Sequence, residues 1–271
     1  MVSSDTFAPH APGRFMTRRW ALITTIAVLT VALAFVAFQL VRGQDAGKEQ
    51  AGAKPAASSP GGGVSSLQGL GWWPLHRSGT AKAGERDAVI SGGTQWTDGP
   101  EGGALQLDGT SGFADTGIRL DTTGKDYSVA ARVRLASEDR EGFHTALSED
   151  GDPSSSFFLQ YAGPDGNFAF SFTGARTVAE TPEQPEPGRW YHLTGTYSQK
   201  DHRMRIYVDG RLAGTRVAAS DVKPTGAVLI GRAKFDGKAA DFWNGDIADV
   251  HVYDRELTAR EVSSLSAHEP G

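Results

Sequence analysis

The side chains able to do acid–base chemistry are thinly spread in this chain, and their spacing limits what they can do. Carboxylates crowd together at Glu149-Asp150-Gly151-Asp152 and again at Asp246 and Asp249. Two carboxyl groups about 5–5.5 Å or 6.5–9.5 Å apart can flank and cleave a glycosidic bond. The first run reads as a turn, and the second coincides with a break in strand alternation, so neither is assigned as a catalytic pair. The seven histidines are scattered, and a Ser-His-Asp relay is assembled by the fold rather than by spacing. His192, within Trp190-Tyr191-His192-Leu193, reads as a structural histidine inside a sheet. Zinc would ask for His-Glu-x-x-His or paired histidines, and neither occurs. With no cysteine there is no thiol nucleophile, thiolate metal site or disulfide.

The elements that must position such groups are strands. From Trp190 to Val217, apolar residues fall at every second position (Tyr191, Leu193, Tyr197, then Met204, Ile206, Val208), separated by a polar turn over Ser198 to His202. Asp209-Gly210 supplies the two residues that tolerate positive φ in a tight hairpin, so Arg211 to Val217 folds back as a third strand. Tyr127 to Leu135 alternates with Val129, Ala131, Val133 and Leu135 on a core face, leaving Arg132 and Arg134 outward. Arg203 and Arg205 point outward on their own strand, where they can meet anionic glycans or simply water. Phe168, Phe170 and Phe172 share one side of a hairpin closed by Ala162 to Gly166. Asp221 to Gly226 reads as a proline-glycine turn.

The last strand region, Asp241 to Tyr253, breaks its own alternation. Ile247 and Asp249 share one parity, Val250 and Val252 the other, so a regular strand would place an aspartate in the core or two valines in water. A bulge near Ala248 to Asp249 resolves the conflict. A short helix follows, announced by Thr258 and Glu261 as a capping box with Leu257 and Val262 as its staple.

The 271 residues include 34 glycines and carry a net charge of −5, which favours a turn-rich β domain and argues against a general polyanion binder; no nucleic-acid partner is expected. Residues 1–19 read as a polar cytoplasmic tail. Residues 20–41 are uncharged and long enough to cross a ~30 Å hydrocarbon core as one transmembrane helix, with Trp20 at the interface. The alternative is a cleaved signal, but Phe38 to Arg42 offers no small-x-small site; in both readings the remainder is exported. Arg18 and Arg19 abut the apolar run and favour a cytoplasmic N-terminus. Residues 42–66, rich in Gly, Ala, Ser and Pro, read as a disordered linker with a reach of about 25–30 Å, leading into a β domain over 67–271.

The segments WWPLHRSG, GGALQLDGTSGFADTG, YSVAARVRL, HTALSEDG, SFFLQYAG, WYHLTGTY, MRIYVDGRL, VLIGRAKF and DFWNGDIADVHVYDRELTAREV, in this order, resemble the laminin-G-like jelly-roll domain of the concanavalin A-like lectin/glucanase superfamily, in its actinobacterial exported form. The resemblance covers essentially residues 70 to 265. It implies an all-β fold, two antiparallel sheets of about six or seven strands each in a jelly-roll sandwich. It does not imply one function, because one fold hosts many. Jelly-roll glucanases carry their carboxylates on one strand in a pattern like E-x-D-x-x-E, which this chain lacks.

Two kinds of site follow. Sugars stack on aromatic rings, and Trp96, Phe143, His144, Tyr161 and Trp243, in or near loops, are the candidate ligand-binding residues; Trp72, Trp73 and Trp190 are assigned to packing, with Trp190 as a buried anchor. The resemblance also implies a Ca²⁺ site at the sandwich edge, for which Asp87 and Asp249 are the candidates, although Asp87-Ala88 departs from the family's Asp-x-Ser-Gly loop. The expected function is a membrane-anchored extracytoplasmic module binding carbohydrate. A cell-surface protein is the alternative partner, and glycoside hydrolysis the less favoured activity.

Overall fold

The structure, a computed structural model, describes residues 67–100 and 102–267. The expected tail, membrane-spanning helix and linker lie outside the described residues. Among the described residues no helix is long and apolar enough to cross a membrane.

Among the described residues seventeen strands and one α-helix follow in order, with a 3₁₀ turn (Gly163–Asp165) between the eighth and ninth strands: β1 (Gly71–Trp73), β2 (Val89–Ser91), β3 (Thr94–Thr97), β4 (Ala104–Asp108), β5 (Phe113–Asp115), β6 (Tyr127–Leu135), β7 (Phe143–Asp152), β8 (Phe158–Ala162), β9 (Asn167–Phe172), β10 (Ala175–Val178), β11 (Trp190–Ser198), β12 (Arg203–Val208), β13 (Arg211–Val217), β14 (Lys223–Ile230), β15 (Ala233–Phe235), β16 (Lys238–Ala240), β17 (Asn244–Tyr253) and α1 (Ala259–Ser266). An eight-stranded sheet runs β13-β12-β11-β6-β17-β4-β3, with β1 also paired to β17. A seven-stranded sheet runs β10-β9-β8-β7-β14-β5-β2, and β15-β16 form a separate hairpin. All the pairings are antiparallel. The all-β sandwich read from the residues is present, with one more strand in the larger sheet than expected.

Alternation builds the core. Val129, Ala131, Val133 and Leu135 face Leu159, Tyr161, Phe168, Phe170 and Phe172 between the sheets, all buried. Gly195 on β11 leaves room for the Phe170 ring from the opposite sheet; a Cβ there would come within 2.6 Å of that ring. The meander β11-β12-β13 forms as expected, and its turn takes positive φ at both Asp209 (49°) and Gly210 (75°). The bulge also forms. The register of β17 on β6 breaks between Ala248 and His251, and Asp249 adopts φ 49°. Beyond it Val250 and Val252 return to the core and pair with β1.

A second apolar layer covers part of the eight-stranded sheet's outer face. There Val262 and Leu265 of α1, with Leu257, pack on Ala130, Tyr207 and Tyr253. The capping box is complete, with the Thr258 side chain accepting from the Glu261 N–H and the Glu261 side chain accepting from the Thr258 N–H.

Three expectations are corrected. Glu149 to Asp152 is not a turn but the end of β7, paired with β14. Asp221 to Gly226 is not a turn, since β14 begins at Lys223 and absorbs Pro224 through a register shift before Val228. Pro224, without an N–H, is tolerated at such an irregularity. Trp190 is not a buried anchor. Its parity opposes that of Tyr191 and Leu193, so it sits half-exposed on the outer face beneath the Arg134 guanidinium, 4.9 Å from the ring centroid. Trp73 is the buried tryptophan of the packing set, and Trp72 is half-buried.

Candidate functional site

The β15-β16 hairpin turns through Asp236 and Gly237, both at positive φ (48° and 76°). It is clamped to the loop after β7. The Lys234 N–H donates to Ser155 Oγ at 2.9 Å and the Ser155 N–H returns to Lys234 O at 2.8 Å. The Gly237 N–H reaches Pro153 O at 2.8 Å, and the Asp236 N–H reaches Ser154 Oγ at 3.2 Å. The product is a rigid ledge carrying Phe235, which is 53% exposed.

Between this ledge and the outer faces of β7 to β10 lies a groove of about 460 Å³. Phe143 and Phe158 supply apolar surface, and Gln160 and Ser171 a polar floor in which Gln160 Nε2 donates to Ser171 Oγ at 3.0 Å. Arg176 lies over the Phe143 ring (5.2 Å) while its Nε stands 2.8 Å from an Asp165 oxygen, so one cation is both stacked and neutralised. Asp241 reaches the groove from the end of the hairpin, and burial holds its carboxyl above the usual carboxylate range, opposed by His144. Apolar ring faces beside fixed amide, hydroxyl and carboxyl groups suit a ligand with flat apolar faces and many hydroxyls.

The aromatic candidates divide. Phe143 lines the groove. His144 lies behind it with Nδ1 donating to Phe242 O at 2.9 Å and Nε2 at 3.2 Å from Asp139, whose carboxyl is held low chiefly by the Glu141 and Gly142 N–H groups. Tyr161 pairs with His144 across the strands, but at 1% exposure its ring belongs to the core. Trp243, at 0%, is likewise enclosed, so neither presents a face to a ligand. Trp96 lies on β3 in the other sheet, half-buried against the core. Phe235, Gln160, Ser171, Arg176 and Asp241 escaped the sequence reading. Of these, Phe235 carried a signal, because Asp236-Gly237 is the same hairpin dipeptide as Asp209-Gly210.

Of the two aspartates named for calcium, Asp249 already has both oxygens engaged, and Asp87 caps a loop. Asp249 is 2% exposed, and its Oδ1 accepts the Trp72 indole N–H at 2.9 Å and His251 Nε2 at 2.8 Å, while Oδ2 stands 3.6 Å from Arg132 Nε. A cation there would have to displace three donors. Burial pushes the Asp249 carboxyl up, but His251 foremost, with His192 and the Trp72 N–H, outweighs it and draws the carboxyl down to about 2. Asp87 is exposed and accepts the Ala81 N–H at 3.0 Å, a loop-capping contact. Among the described residues, no group of three or more His, Asp or Glu side chains is placed to hold a metal ion. The outward arginines are also engaged: Arg134 with Asp246 (2.8 Å), Arg203 with Asp201 (2.9 Å), Arg205 with Glu256.

Human neuronal pentraxin-1 is 29% identical over 98 residues, which is 33% of this chain and 22% of that protein. The chain thus spans about a fifth of the length of such curated relatives. A rat protein with sushi, von Willebrand factor type A, EGF and pentraxin domains is 23% identical over 154 residues, 53% of this chain and 4% of that one. Among solved structures, domain 4 of AbnA, an extracellular GH43 arabinanase from Geobacillus stearothermophilus solved with arabinotriose, superposes with a TM-score of 0.60 at 20% identity, covering 73% of this chain and 97% of that one. Trypanosoma rangeli sialidase with sialic acid gives 0.54 at 16% identity, covering 75% and 33%. These likenesses establish the fold. The family profile described as the concanavalin A-like lectin/glucanases superfamily matches residues 108–263, more than half of the sequence, and the chain belongs to that superfamily.

Proposed function

We propose that the β domain is a carbohydrate-binding module, exported and held at the cell membrane through residues 20–41, that takes a glycan of the cell envelope or surroundings in the groove under Phe235. The observation that carries this reading is the exposed Phe235 ring fixed on a clamped hairpin beside the Gln160–Ser171 floor. A large apolar ring held rigidly in water costs little to order when a sugar face stacks on it. The superposition on an arabinanase domain solved with arabinotriose supports the same ligand class.

Binding is favoured over hydrolysis because Asp241 is the single carboxylate among the described residues lining the groove, and glycoside cleavage needs two. A glycan array with the full chain tests the reading. Saturable binding competed by free sugar supports it, and silence across the array sinks it and favours a protein partner. Release of reducing sugar from polysaccharides would revive the hydrolase.

A further inference from the structure

The outer face of the eight-stranded sheet carries a row of polar side chains that the groove does not use. Register places Gln95 opposite Gln106, Gln106 opposite Asp246, Asp246 opposite Arg134, and Arg134 opposite Trp190. The five stand side by side on β3, β4, β17, β6 and β11, a span of ~19 Å at ~4.8 Å per strand. Helix α1 covers other parts of this face, over Ala130, Tyr207 and Tyr253. At the β3-β4 end, the row opens into a cleft of about 400 Å³ edged by Gln95, Gln106 and Asn244 and kept open by Gly93, Ala136 and Gly245.

The chemistry of this cleft is specific. Gln95 Nε2 donates to Gln106 Oε1, which leaves Gln95 Oε1 and both Gln106 N–H groups free. Asn244 Nδ2 makes one long contact with Ser137 Oγ at 3.4 Å and keeps its Oδ1. The charged neighbours are turned away from a ligand. Asp246 is buried and pairs with Arg134 through Oδ2, while its Oδ1 is enclosed without a protein partner. Asp108 accepts the N–H groups of Thr110, Ser111 and Gly112 and the hydroxyls of Thr110 and Ser111. What remains at the cleft is a neutral set of paired donors and acceptors on a shelf of small residues, with the half-buried Trp190 ring at the far end of the row. Neutral hydroxyl pairs complement such amides, whereas an anion would find no unpaired cation in the row.

We infer that this cleft is a second saccharide site, for a neutral polysaccharide chain laid across the strands, on the opposite sheet from the Phe235 groove. Two sites facing opposite ways would let one domain bridge two glycan chains, with avidity beyond either site alone.

The test is affinity electrophoresis of the full chain in gels containing arabinan, galactomannan, xylan or dextran. Three variants are compared with the unaltered chain: Phe235→Ala in the groove, Gln95→Ala with Gln106→Ala in the cleft, and all three together. The groove variant is expected to remain retarded by at least one neutral polysaccharide. Adding the cleft substitutions is expected to weaken that retardation roughly tenfold or more. Ala136→Arg, which fills the cleft from an exposed position and spares the amides, should reproduce the loss. The inference is overturned if the unaltered chain or the groove variant is retarded by none of the four, or if the cleft substitutions change nothing in any gel. The groove reading fails separately, if Phe235→Ala behaves as the unaltered chain in every gel.

Discussion

The Trp72 indole N–H donates to Asp249 Oδ1 at 2.9 Å, joining residues 177 positions apart. The contact fastens β1 to the bulge of β17, where His251 stacks on Trp72 (5.4 Å) and donates to the same oxygen. Asp249→Ala would leave the Trp72, His251 and Arg132 donors without their acceptor in a buried place, so it should destabilise the domain by about 3–5 kcal/mol. Asp249→Asn, which keeps an oxygen for Trp72, should cost less. Urea denaturation of both variants checks the order, and equal losses would contradict the arrangement.

His192 gives a pH dependence whose sign is fixed. Burial, with Arg132 adding to it, pushes its pKa down from 6.5 to about 3, and neither ring nitrogen bonds a protein group. Between those values the unfolded chain holds a proton that the native state refuses, so stability falls as pH drops from about 6.5 toward 3. The slope from this group is at most about 1.4 kcal/mol per pH unit. Asp249 acts lower, since its carboxyl stays ionised to about 2. Denaturation between pH 4.5 and 7 should therefore show a slope that His192→Gln flattens, and an unchanged slope would refute the assignment.

The scaffold was legible in the residues wherever one local pattern decided the outcome. Parity alone located the bulge at Asp249, and four residues sufficed for the Thr258–Glu261 cap. The groove was not legible, because Phe143, Gln160, Arg176, Phe235 and Asp241 come from separate segments that only the folded sheet brings together. Tyr161 looked like a loop aromatic, yet it alternates in phase with Leu159 and is carried into the core. Trp190 failed in the opposite sense. Its parity pointed outward, and no pattern along the strand reveals that α1 covers other parts of that face and leaves this ring half-exposed.

The tryptophans accordingly separate in energy. Trp73, fully buried, should cost about 3–5 kcal/mol on change to Ala. Trp190→Ala removes a half-exposed ring and its Arg134 contact, and about 1–2 kcal/mol is expected. Equal losses in thermal or urea unfolding would restore Trp190 as a core anchor.

In the groove, Phe235→Ala should leave the melting temperature nearly unchanged, because the ring is mostly in water, and should weaken glycan binding roughly tenfold. Titration calorimetry with the best array ligand measures the second quantity. A large drop in melting temperature would instead make the ring structural.

Calcium should not move the melting curve. With the Asp249 oxygens serving Trp72, His251 and Arg132, excess calcium and excess chelator are expected to give the same transition. A rise on adding calcium would point to oxygens outside Asp249, the Asp87 loop first.

The missing side chain at Gly195 has a consequence for how the two faces relate. With the Phe170 ring seated where a Cβ would otherwise stand, the sheets are keyed like a peg in a socket, and neither can slide over the other without lifting the ring out. The relative position of the two sheets is thereby fixed where β9 meets β11, so a larger residue at position 195 would push them apart.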